Sequence, residues 1–107
     1  MIVGIDKSPL AAKRYRVTMD NGKHYDFGLK TGYTYIDGAG IYVRDNYRKR
    51  HIANKTEKVL IENLVPSPSL FAYYLLWGPH TSLKQNIKHL NSKWEKKHLV
   101  TDTFGLG

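Results

Sequence analysis

The segment Asn54 to Gly78, NKTEKVLIENLVPSPSLFAYYLLWG, constrains the fold of this chain more than any other stretch. Two helix starts are punctuated in it. Asn54 is placed to N-cap a helix with Glu57 at N3, close to a capping box, because its side-chain oxygen can accept from the first free backbone N–H groups. Ser67-Pro68 opens a second helix, with Ser67 as N-cap and Pro68 at N1, and Gly78-Pro79 closes it. Leu70 to Trp77 is apolar nearly all round, which fits either a central core helix or a helix shared with a partner. In the shared case Leu70, Phe71, Tyr74 and Trp77 form the apolar interface. Nothing in the stretch looks catalytic.

Periodicity sets the rest of the layout. Met1 to Asp6 reads as a short strand ended by the turn Lys7-Ser8-Pro9. Arg14 to Met19 alternates, with Tyr15, Val17 and Met19 on one face, and Asp20-Asn21-Gly22 turns it into a partner strand from His24 to Phe27. Tyr33 to Ile36 reads as a further short strand, broken by Asp37-Gly38-Ala39-Gly40. Ile41 to Val43 is either one more strand or the lead-in to a helix. Helices are expected over Asp45 to Ile52, Lys55 to Asn63, Pro68 to Trp77 and Ser82 to His98. The last carries Leu83, Ile87, Leu90 and Trp94 as a core-facing stripe. Leu99 to Gly107 is expected to be extended. The fold class is therefore α+β, an N-terminal antiparallel β-meander followed by a helical half of three to four helices. One domain spans 1–107, with residues 100–107 as an extended tail.

A chain of 107 residues is long enough for one real core. The absence of cysteine excludes disulfides and thiolate metal sites. Asp6 and Lys7 interrupt the N-terminus before any signal-peptide core can form. The longest apolar run, around Phe71 to Trp77, is well short of the ~20 residues that span a bilayer. A soluble protein made inside the cell, without a membrane span, is the expectation.

Charge is the second constraint. The chain has 17 Lys and Arg against 9 Asp and Glu, a net +8, and the excess is uneven. Residues 1–43 carry six basic and four acidic side chains, whereas residues 44–107 carry eleven and five. Arg44, Arg48, Lys49, Arg50, Lys55 and Lys58 crowd one short stretch, and Lys84, Lys88, Lys93, Lys96 and Lys97 line the last helix. Such a distribution suits a polyanion, whose neutralised phosphates release counterions, or an acidic protein surface. It also suits a solvated helical face.

Chemistry-bearing motifs are few. Gly40-Ile41-Tyr42 spells half of a GIY-YIG nuclease signature, but its nearest partner, Tyr35-Ile36-Asp37, precedes it in the chain. Asp37, Asp45, His51, Asn54 and Glu57 are a conceivable divalent-cation set, yet Asp45 and His51 fall on different faces of one helix and Asn54 and Glu57 form a cap. The five histidines are scattered. Asn54-Lys55-Thr56 is formally a glycosylation sequon, better explained by capping. Tyr15, Tyr25, Tyr33 and Tyr35 beside Arg14, Arg16 and Lys30 fit either base stacking or ordinary strand packing. No catalytic residue, metal ligand, cofactor site or small-molecule substrate is expected.

The blocks YRVTMDNGKHYDFGLKTGYTYID, RDNYRKRH and NKTEKVLIENLVPSPSLFAYYLLWG together resemble a group of small uncharacterised proteins encoded by nucleocytoplasmic large DNA viruses, over about Lys13 to Trp94. That group has a polar, basic loop after the position of Asp37, where this chain has Gly38-Ala39-Gly40-Ile41-Tyr42-Val43, so the loop is not read as a shared site. The resemblance implies a viral structural protein, made in the host cytoplasm and carried in the virion. On this expectation it is a minor capsid protein cementing capsid subunits, with non-specific DNA binding in genome packaging as the alternative. The contact residues are Arg44, Arg48, Lys49, Arg50, Lys55, Lys58, Lys84 and Lys88, with Leu70, Phe71, Tyr74 and Trp77 as the apolar part.

Overall fold

The computed structural model describes residues 1–106, with side chains described through residue 97. Three strands come first: β1 (Ile2–Lys7), β2 (Lys13–Met19) and β3 (His24–Leu29), forming an antiparallel sheet in the order β1-β2-β3. Four helices follow: α1 (Ile41–Ala53), α2 (Lys55–Glu62), α3 (Pro68–Phe71) and α4 (Leu83–Leu106). The arrangement is α+β.

Strand register follows the alternation in the sequence. Tyr15 pairs with Phe27 and Val17 with Tyr25, while Ile2 pairs with Met19 across a bulge in β1. The inner face therefore presents Val17, Met19 and Phe27, all buried. Gly22, with φ 84°, makes the tight turn before β3. Helix α3 lies on this face: the Phe71 ring sits 5.8 Å from Phe27 and 5.5 Å from Tyr25. A side chain on Gly28 would meet Leu76 at 2.9 Å, so the bare backbone there lets the helical half close down on the sheet.

Both expected caps form. The Asn54 side chain accepts from the backbone N–H groups of Thr56 and Glu57, and Ser67 Oγ accepts from Leu70. The third helix departs from the expected regular course after Phe71. It widens into a π-helical turn, Ala72–Leu76, in which the Trp77 N–H reaches back five residues to the Ala72 carbonyl. The buried Asn86 amide then satisfies what this turn leaves open, donating to the Leu75 and His80 carbonyls and accepting from the His80 N–H. On α4 the expected stripe is present, with Leu90 buried and Leu83, Ile87 and Trp94 packed on the core. Asn91 ties the same helix to the sheet edge by bonding both the N–H and the carbonyl of Ile2.

Two expectations are corrected and one open choice is decided. Tyr33 to Ile36 is not a strand; Tyr35–Asp37 forms a 3-10 turn. The cause is Asp37, whose carboxylate accepts from the N–H and hydroxyl of Thr34 while Arg14 grips it with both guanidinium N–H groups. Of the two readings left open for Ile41 to Val43, the structure has the lead-in to a helix, as the first turn of α1. Leu99 to Leu106 continues α4 instead of running extended, a course that the lack of proline in this stretch permits. Gly107, the end of the expected extended tail, lies outside the described residues.

The Arg14 contact, with the Thr34 hydrogen bonds behind it, holds the Asp37 carboxyl well below the usual carboxylate range. A depressed folded-state pKa contributes stability that is complete above the unfolded value near 3.9 and is lost as pH falls below it. Asp37→Asn should therefore cost roughly 1–3 kcal/mol at neutral pH and flatten the acid limb of the stability curve below about pH 4. Chemical denaturation across a pH series checks this; an unchanged acid limb would show that the clamp is not coupled to folding.

Candidate functional site

Six carboxylates among the described residues already face a basic group of the chain itself. Asp20 meets the N-terminus, Asp26 meets Arg16, Asp37 meets Arg14, Asp45 meets Arg44, Glu57 meets His51 and Glu62 meets Lys58. Most carboxylates are thus paired within the chain, three of them at its surface, and the surplus positive charge is left without such partners.

The expected contact residues divide accordingly. Lys49, Arg50, Lys55, Lys84 and Lys88 are exposed and carry no ion pair among the described residues. Lys58 is exposed but stands 3.9 Å from Glu62. Arg44 is partly buried, paired with Asp45, with its guanidinium 4.8 Å above the Tyr35 ring. Arg48 is a structural residue: its Nη1 donates to the Trp77 carbonyl at 2.8 Å, and its guanidinium lies 4.1 Å over the Tyr73 ring. It joins α1 to the end of the π-helical turn.

The apolar set is placed differently from the expectation. Leu70, Phe71 and Trp77 are buried in this chain's own core, which removes Leu70 and Phe71 from any contact surface and leaves Trp77 only an edge on the cleft described below. Tyr74 alone of the four is partly exposed, and it stands among cations. Lys93 Nζ is 5.7 Å from its ring centroid, Arg48 is 6.0 Å away, and His89 is 6.1 Å away. Burial, followed by Lys93, His80, Arg48 and Lys96, holds the pKa of His89 below its ordinary value. The C-terminal half of α1, the π-helical turn and α4 therefore share a positive, aromatic face. A shallow groove lined by Arg48, Lys49, Ile52, Ala53 and Tyr73 runs along it.

Sequence reasoning found the cations but missed the face. Tyr73 and Tyr74 turn toward α1 and α4 because the π-helical turn is wider than an α-helix, and no residue pattern announced it. The strand tyrosines do not form a stacking platform: Tyr15, Tyr25 and Tyr35 pack on the core, and Tyr33 is exposed. Of the cation set, Asp37, Asp45 and Asn54 are each held elsewhere, whereas His51 and Glu57 do come together. Among the described residues no group of three His, Asp or Glu side chains stands close enough to share a metal ion. No helix of the described residues is long and apolar enough to cross a membrane.

On the other flank of α1 lies a cleft of about 430 Å³, lined by residues of β3, α1 and α3 together with Lys13, Trp77 and the loop before the 3-10 turn. Its inner wall is a stack of rings. Trp77 lies 4.4 Å from Tyr47 at 16°, and Tyr47 lies 4.1 Å from His51. Burial, reinforced by the Glu57 charge, pushes the Tyr47 phenol up to about 12, so it stays a neutral donor.

A family model described as a family of unknown function (DUF5754) matches residues 3–51. The matched segment holds the whole sheet, the 3-10 turn and α1 as far as His51. No curated protein and no solved structure matches the chain.

The different situations of Arg48 and Arg50 give a direct test. Arg48→Ala removes a hydrogen bond to a carbonyl and a cation–π contact and should cost about 1–3 kcal/mol of folding stability. Arg50→Ala should stay within about 0.5 kcal/mol of the parent protein. Thermal unfolding of the two variants checks the difference; equal losses would remove the structural role assigned to Arg48.

Proposed function

We propose that this protein binds nucleic acid without sequence preference, through the positive, aromatic face built by α1, the π-helical turn and α4. The observation that carries this is the asymmetry of charge pairing. Six carboxylates are paired within the chain, while Lys49, Arg50, Lys55, Lys84 and Lys88 stand exposed without ion pairs among the described residues. A phosphate backbone matches such a surface because each neutralised phosphate releases a counterion. Tyr73 and Tyr74, set among Arg48, Lys93 and His89, add rings of the kind on which bases stack. The burial of Leu70, Phe71 and Trp77 weighs in the same direction, since it leaves the adhesive alternative without most of its apolar contact.

A role as a minor capsid protein is the second reading, favoured by one observation. Ile41, Tyr42 and Val43 are consecutive, apolar and exposed on the first turn of α1, with Tyr42 82 % exposed. A capsid subunit covering that turn would make Tyr42→Glu fail to enter particles with its fold intact; normal incorporation would dismiss this reading.

The nucleic-acid reading is tested by fluorescence anisotropy of a short labelled oligonucleotide over a salt series. The affinity should fall linearly in log–log form, with a slope of about 0.9 per phosphate contacted on duplex and about 0.7 on single strand. Lys49→Glu combined with Arg50→Glu should weaken binding roughly tenfold or more at low salt, with the unfolding midpoint unchanged. Undiminished binding by that double variant would move the footprint off this face, and no binding at low salt would end the proposal.

A further inference from the structure

The cleft on the inner flank of α1 combines an aromatic wall with a few polar groups. Its volume, about 430 Å³, lies within the ~300–1,000 Å³ usual for small-ligand sites. One wall is the ring stack His51–Tyr47–Trp77, and the opposite side is aliphatic, with Leu76 at the base and Leu29, 69 % exposed, at the mouth. Two polar groups converge on it. His51 Nδ1 is sealed from solvent 3.1 Å from Glu57 without a hydrogen bond. Nε2 has no hydrogen-bond partner among the described residues either, yet it is not among the sealed atoms, so it is the nitrogen a ligand can reach. Lys13, at the rim, adds a cation with no ion pair among the described residues.

The cleft also adjoins the basic face. Arg50 lies three residues from Tyr47, hence beside it on the α1 surface, and its charge acts on the Tyr47 phenol. Arg48 bonds the carbonyl of the same Trp77 whose ring lines the cleft. A chain of phosphates held at Arg50 and Lys13 would carry its bases past the cleft mouth.

We propose that this cleft receives an unstacked base, so that the ligand of this protein is single-stranded nucleic acid rather than duplex. The inference rests on the nucleic-acid reading of the basic face. In a duplex the bases are paired and stacked inside, out of reach of a pocket of this depth. In a single strand a base can turn out, lie against the ring stack and meet His51 with its polar edge.

The test compares three labelled oligonucleotides of one length on the full chain: a single strand, the same strand with abasic residues, and the duplex. The intact single strand should bind roughly tenfold more tightly than the abasic one, the scale of one stacked base. Leu29→Phe, which narrows the mouth at an exposed position, and His51→Gln should each bring the intact strand down to the affinity of the abasic one. In a Trp94→Phe background, adenosine monophosphate should quench Trp77 emission and ribose 5-phosphate should not. Equal binding of intact and abasic strands, with no response of Trp77, overturns the cleft as a base site and leaves the basic face standing. If none of the three oligonucleotides binds, the basic-face reading fails and the cleft proposal fails with it.

Discussion

Much of this structure depends on one buried amide. Asn86 closes the end of the π-helical turn, taking the Leu75 and His80 carbonyls and the His80 N–H that the widened helix leaves unpaired. Unpaired, the buried Leu75 carbonyl alone would cost on the order of 1–3 kcal/mol. With these groups satisfied, the turn can set Leu75 and Leu76 into the core and direct Tyr73 and Tyr74 toward α1 and α4. Gly78 completes the junction, since a side chain there would collide with the Tyr74 carbonyl. The basic, aromatic face and the ring-lined cleft both follow from this one departure from α-helical geometry.

The electrostatic plan is equally economical. Arg14 and Arg16 hold Asp37 and Asp26 across the sheet and its loop, and Arg44 and Lys58 hold their acidic neighbours on the helices. Surface pairs of this kind contribute little stability one by one. Their larger effect is on the field outside the molecule. By cancelling carboxylates locally they leave Lys49, Arg50, Lys55, Lys84 and Lys88, without ion pairs among the described residues, to set the potential that a charged partner meets at a distance.

Elements whose signals are local were legible in the sequence. The hairpin, the Asn54 and Ser67 caps and the Leu83–Trp94 stripe each depend on neighbours within one or two turns, and each is present. What escaped depends on distant partners. The 3-10 turn at Tyr35 exists because Arg14, far back in the chain, grips Asp37. The π-helical turn needs Asn86 from another helix, and Arg48 became a structural clamp only because folding brings Trp77 to it. The same long-range packing took Leu70, Phe71 and Trp77 inside, where composition alone left a core helix and a shared helix equally open. Charge density marked the basic residues, but not which of them would remain free.

The segment that matches a family model ends at His51, before α3. Taken alone, that segment is a sheet with an open apolar face: Val17 and Phe27 have nothing over them until Leu70 and Phe71 arrive from the later helices. A three-stranded sheet cannot leave such a face in water. Any relative that shares only the first half of this chain must therefore cover the same face by other means, with unrelated helices of its own or with another polypeptide. In this chain the cover, the cleft's deeper wall and the α4 part of the basic face all come from beyond His51, so the matched segment by itself completes neither the core nor the cleft.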